Sequence, residues 1–122
     1  MATGTVNSLV STLNSNLSNY NTITLTVDST TASGVYSRIG HQVTFMSRIQ
    51  IDSRSWGAYE TITLCTLPEG YRPPFPINFV VPTNARDSVF RCIVTQNGAV
   101  NVYNPAGATT LSLLPFAVSF LV

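Results

Sequence analysis

Val43, Phe45, Ser47, Ile49 and Ile51 occupy every second position of one run, alternating with Thr44, Met46, Arg48 and Gln50. A period of two puts each set on its own face of an extended chain and cannot make the apolar stripe of a helix. Ile23, Leu25 and Val27 alternate with threonines in the same way. Further strands are expected over residues 34–39, 59–67, 77–81, 89–95, 99–104 and 116–122, because Gly, Pro, Asn and Asp turn signals separate these segments. About eight short strands, with no helical period after residue 20, predict an all-β fold: a small antiparallel β-sandwich or barrel of jelly-roll type.

Ahead of the strands the period differs. Val6, Leu9, Val10, Leu13, Leu17 and Tyr20 recur at helical spacing, with Asn16 at a position where a heptad would place an apolar residue. Two heptads rich in Ser and Asn do not hold a coiled coil alone, so residues 1–20 are expected to be either the stub of a helical stalk completed by neighbouring chains or a polar leader. Residues 21–122 are expected to form the β-sandwich domain. At 122 residues the chain has room for one such domain.

Two turns are specific. Asn97-Gly98 between apolar runs is a strong hairpin signal, and a two-residue type I′ loop there pairs Arg91 with Asn104, Ile93 with Val102 and Val94 with Asn101. That register leaves both faces of the hairpin apolar, with Arg91 and Asn104 the only polar members of theirs. The closing run likewise alternates Phe116, Val118 and Phe120 with Ala117, Ser119 and Leu121, so one face is core and the other is expected to pack on another copy of the chain. Leu67-Pro68-Glu69-Gly70-Tyr71-Arg72-Pro73-Pro74 has too many fixed φ angles and missing donors for a ladder and predicts a rigid crossing between sheets. Pro76 and Pro82 confine the run between them to an edge.

Several chemistries are poorly served. Only 9% of residues are charged, the net charge is +1 and all the basic residues are arginines, which leaves no footprint for nucleic acid. No apolar run approaches the roughly 20 residues that span a bilayer, and no signal-peptide pattern opens the chain, so a soluble protein is expected. His41 is the lone histidine, and Cys65 and Cys92 lack metal-ligand spacing; each cysteine is expected in a strand as a small buried hydrophobe, with a disulfide between them the alternative, and no metal or cofactor is expected. No phosphate-cradling loop or nucleophile elbow is present. Asp52 and Glu60, flanking Trp56, are the one carboxylate pair that hints at glycoside hydrolysis.

The order of these signals is similar to one family. Tyr36, Ile39 and Gly40 enter an alternating strand; Leu67-Pro68-Glu69-Gly70-Tyr71-Arg72-Pro73 follows; then come a strand, the Gly98 hairpin and a closing Phe116-x-Val118-x-Phe120 strand. Over about residues 20–122 this resembles the C-terminal receptor-binding head of siphophage tail-fibre and baseplate proteins, such as those of phages infecting lactococci. The resemblance implies a homotrimer of small β heads on a stalk, located in the virion tail after assembly in the host cytoplasm. It further implies contact with other tail or baseplate proteins and binding of bacterial cell-surface saccharide near subunit boundaries. In lactococcal relatives the sugar site resembles a His-x-Asp pair and a Trp, which fall here at Arg91, Ile93 and Val102; none is retained.

Two saccharide sites are therefore candidates. One is the Arg91 and Asn104 face of the hairpin. The other is the polar run from Asp52 to Tyr59, where Trp56 and Tyr59 would stack on a pyranose while Asp52 and Arg54 hydrogen-bond its hydroxyls; alternatively Trp56 folds down over the core. Loss of the relatives' polar site leaves open a purely structural trimerising or tail-tip capping domain, and the carboxylate pair leaves a polysaccharide depolymerase.

Overall fold

The computed structural model describes residue 7, residues 20–85 and residues 89–122; the expected stalk segment lies, apart from Asn7 and Tyr20, outside the described residues. Ten strands run in order: β1 (Asn21–Val27), β2 (Thr30–Ile39), β3 (Gln42–Ser47), β4 (Ile51–Trp56), β5 (Thr61–Thr66), β6 (Ile77–Val81), β7 (Phe90–Val94), β8 (Ala99–Tyr103), β9 (Thr109–Leu113) and β10 (Phe116–Leu121). They form two four-stranded antiparallel sheets, ordered β1-β2-β3-β10 and β5-β8-β7-β6, and a two-stranded β4-β9 ribbon. The expected all-β class is what the chain adopts, and its arrangement is consistent with a sandwich. Their inner faces meet over one core, in which Leu25, Val27, Val43, Phe45, Val81, Phe90, Val94 and Val102 are all but inaccessible.

The alternation that begins at Val43 holds in burial as far as Ile51, Ser47 included, yet it spans two strands in two different sheets. The chain keeps its inward parity while bending at residues 48–50, and the Ile49 amide donates to Ser47 Oγ at 3.3 Å inside that bend. In β4 the two apolar residues, Ile51 and Trp56, are five positions apart and would face opposite ways in a regular strand. A register shift between Ile51 and Arg54, with Ser53 at φ 44°, turns both inward. A second shift between Thr63 and Cys65 in β5 accompanies the burial of Leu64.

Two expectations about turns are corrected. The hairpin between β7 and β8 pairs Arg91 with Tyr103, Cys92 with Val102, Ile93 with Asn101 and Val94 with Val100, one residue away from the type I′ register. Gly98 alone takes positive φ, at 87°, while Asn97 does not; the Gly98 amide donates to the Thr95 carbonyl at 2.9 Å and the Thr95 amide to the Ala99 carbonyl at 3.0 Å. This is a three-residue loop with a glycine bulge, a geometry whose twist also suits the strands. The slip sorts the residues cleanly: Phe90, Cys92, Val94, Val100, Val102 and Asn104 all face the core. The hairpin's expected two-sided apolar character came from the wrong register.

The Pro-rich crossing does not change sheets. Residues 67–76 leave β5 at one edge of its sheet and enter β6 at the opposite edge of the same sheet, the long return of a Greek key. On the way the segment is tied to both layers. The Leu67 amide donates to the Gly98 carbonyl at 2.8 Å and Arg72 Nε to the Leu67 carbonyl at 2.8 Å; Arg38 Nη1 of β2 donates to the Gly70 carbonyl at 2.8 Å, and Tyr71 sets its ring edge-on to Tyr36 at 4.8 Å. The Tyr71 amide closes a turn on the Pro68 carbonyl at 3.2 Å, with Gly70 at φ 89° supplying the left-handed position. The Leu-Pro-Glu-Gly-Tyr-Arg run thus closes one end of the core, and β6 between Pro76 and Pro82 is an edge strand, as its prolines require.

Candidate functional site

The hairpin pair is not brought together. Arg91 stands exposed on the outer face of its sheet, whereas Asn104 is 1% exposed on the core side. Asn104 is fully occupied there: its Nδ2 donates to the carbonyls of Gly57 at 2.8 Å and Gly107 at 3.2 Å, and its Oδ1 accepts from the Ala106 amide at 3.1 Å. These bonds join two turns, and nothing of the side chain is left for a ligand.

The run from Asp52 to Tyr59 is not a loop but strand β4 followed by a turn. Trp56 is buried, with its ring edge-on to Phe90 at 4.9 Å and the Arg54 guanidinium 4.4 Å from its ring centroid. The stacking position a sugar would need is filled by Arg54. That guanidinium is itself held by two carboxylates, through Nε to Asp28 Oδ2 at 2.7 Å and Nη2 to Glu60 Oε2 at 3.0 Å. Asp52 accepts from Gln50 Nε2 at 3.3 Å, and Tyr59, at φ 58°, is exposed. Of the four expected residues only Asp52 and Tyr59 offer open surface.

Glu60 is not set up as the general acid of glycoside hydrolysis. The Arg54 guanidinium, then the Gly57 amide at 2.9 Å, hold the Glu60 carboxyl below its ordinary range, while a general acid needs its pKa raised. Arg54 likewise lowers Asp28. Depressed folded values mean that these two carboxylates contribute stability above their unfolded pKa values, near 3.8 and 4.5, and that it is lost as pH falls through the lower folded values. Urea midpoints compared at about pH 6 and about pH 3 should therefore fall less for Arg54→Met than for the unaltered chain. Equal falls would show that Arg54 does not set these pKa values.

Cys65 and Cys92 are free thiols, pushed up by burial to about 11 and about 12, and remain protonated near neutral pH. Among the described residues no His, Cys, Asp and Glu cluster could hold a metal ion, and no helix is long and apolar enough to cross a membrane. The chain matches no protein-family model and no curated protein.

What the fold assembles instead lies on the outer face of the β1-β2-β3-β10 sheet. Register places side chains there in rows across the strands. Val35, Met46 and Ala117 make an apolar row, and Ser37, Thr44 and Ser119 make a hydroxyl row beside it, with Thr44 Oγ1 and Ser119 Oγ 3.1 Å apart. A groove of about 260 Å³ opens over the β2 and β3 members of the two rows, with Tyr36 also in its lining, bounded by Tyr20 and Arg48. Tyr20 is 62% exposed, and Arg48 makes no ion pair or hydrogen bond among the described residues. Arg48 was legible as an outward member of the alternating run; that Tyr20 flanks the same groove was not, because its segment carries a helical period.

Proposed function

We propose that this chain is the host-recognition head of a phage or prophage tail fibre, a homotrimer that binds bacterial surface saccharide and is carried by other tail or baseplate proteins. The observation that supports it best is the character of the outer sheet faces. The face with the groove presents threonines, serines and a few apolar residues and no charged side chain within its strands; the other presents Arg91 as its one charge among Val80, Ile93, Asn101 and Tyr103. Hydroxyls both donate and accept, so such a face matches a polyhydroxylated polymer without stripping water from charges. Exposed Phe75, Val80, Val89 and Leu121 suit contact between copies, and three copies convert weak single sites into firm attachment.

The structural capping reading keeps one observation in its favour. At the positions of the relatives' sugar site, Val102 is buried and Ile93 is apolar, so no acceptor for sugar hydroxyls remains there.

Light scattering on the full chain, followed by sedimentation with host cell-wall fragments, tests the proposal. The expected mass is three times 13.2 kDa, with retention on the fragments. A trimer that is not retained would favour the capping domain, and a monomer would sink both readings.

A further inference from the structure

We infer that the groove bounded by Tyr20 and Arg48 is the saccharide seat, and that the saccharide it takes bears an anionic group, a uronate carboxylate or a phosphodiester. This rests on the saccharide-binding reading above and adds the location and the charge of the ligand.

Same-face residues two apart along a strand lie roughly 6.6 Å apart, so the apolar row and the hydroxyl row beside it together span about the width of a hexose with its hydroxyls. A pyranose has the same division, with apolar C–H faces and a hydroxyl rim. Met46, exposed beside the buried Val35, gives the floor for the ring face, while Ser37 and Thr44 meet the rim. Tyr20, the exposed aromatic at the wall, can close on the other face of the ring.

The charge follows from Arg48. Of the four described acidic side chains, Asp28 and Glu60 are held by Arg54, Asp52 accepts from Gln50 and Glu69 makes no ion pair with a described residue, and none of them lines the groove. The groove therefore presents five guanidinium N–H donors with no counter-ion, a fork that fits a carboxylate or a phosphate oxygen pair. A neutral sugar would use that fork poorly. Arg91, on the opposite sheet and also without an ion pair, stands beside Tyr103 and Val80 and outside this groove, and serves as the control.

Binding of galacturonic acid oligomers, glycerol-phosphate oligomers and neutral glucose oligomers of equal length should be measured by calorimetry on the full chain, on Arg48→Gln, Tyr20→Ala and Arg91→Gln. The expected result is at least tenfold preference for one acidic oligomer over the neutral one, on the order of what one charge-assisted contact supplies. Arg48→Gln should abolish that preference, Tyr20→Ala should weaken all binding, and Arg91→Gln should change neither. The two acidic oligomers distinguish carboxylate from phosphodiester. Equal binding of neutral and acidic oligomers, or loss with Arg91→Gln in place of Arg48→Gln, would overturn this assignment while leaving the recognition reading intact. Retention on host cell-wall fragments unaffected by Arg48→Gln and Tyr20→Ala would do the same. Failure of the unaltered trimer to bind any oligomer or fragment would overturn both.

Discussion

Gly98→Val should destabilise the domain by about 4 kcal/mol, enough to consume much of the roughly 5–15 kcal/mol a domain has. Two independent effects add. Gly98 holds φ at 87°, a region that costs a β-branched residue about 1–3 kcal/mol. A Cβ there would also stand 2.4 Å from the Leu67 carbonyl oxygen and 2.8 Å from Arg72 Nε. The first contact is with backbone, and the Leu67 carbonyl is already the acceptor for Arg72, so relief requires moving the Pro-rich crossing itself. A urea midpoint lowered on the order of 2 M is the expected reading. Gly107→Ala, at a position without positive φ and with open space around the added carbon, should be nearly neutral. A Gly98→Val shift as small as that of Gly107→Ala would show that the hairpin and the crossing are not in contact in solution.

The second large effect is expected at Trp56. Trp56→Ala should cost about 4 kcal/mol, because it empties the position of the largest buried side chain and the surrounding sheets can collapse only partly. Phe90 loses its edge-to-face partner, and Arg54 loses the ring beneath it while keeping both carboxylates. Trp56→Phe should cost far less. It keeps an aromatic ring in the space and removes the indole Nε1–H, a buried donor with no partner among the described residues and a standing cost of about 1–3 kcal/mol. A Trp56→Ala midpoint close to that of the unaltered chain would mean that Trp56 is exposed in solution, which would reopen it as a stacking platform. Both variants should leave the groove unaltered if they fold, since it lies on the outer face of the β1-β2-β3-β10 sheet and Trp56 in the β4-β9 ribbon.

The alternating runs decided the fold class because a period of two has one structural answer, and the burial of Val43, Phe45, Ser47, Ile49 and Ile51 follows it residue by residue. The same run hid a strand boundary: parity survives a bend, so the sequence carried no mark of where β3 ends and β4 begins. β4 was hidden further by its polar centre and by a bulge that turns Ile51 and Trp56 to one side, and β9 by a short apolar alternation, Leu111 and Leu113, in a turn-rich segment.

Asn97-Gly98 announced a hairpin, but a hairpin signal does not fix loop length. Two-residue and three-residue loops both accept a glycine at positive φ, and choosing between them moves every facing side chain. The packed core made that choice, since only the three-residue loop places Phe90, Cys92, Val94, Val100 and Val102 together inside. The candidate site inherited the consequence: Arg91 and Asn104 separated, Asn104 became a brace between turns, and Trp56 went under Arg54.

By itself, then, the sequence determined what each local pattern compels: extended strands, the glycine turns, the rigid proline segment and the scarcity of charge. Only the tertiary structure decided which strands pair, in what register, and which outward side chains share a surface. Val35, Ser37, Thr44 and Met46 come from neighbouring strands, Arg48 from the bend after β3 and Tyr20 from the residue before β1, and their meeting in one groove depends on hydrogen-bond registers that no local pattern encodes.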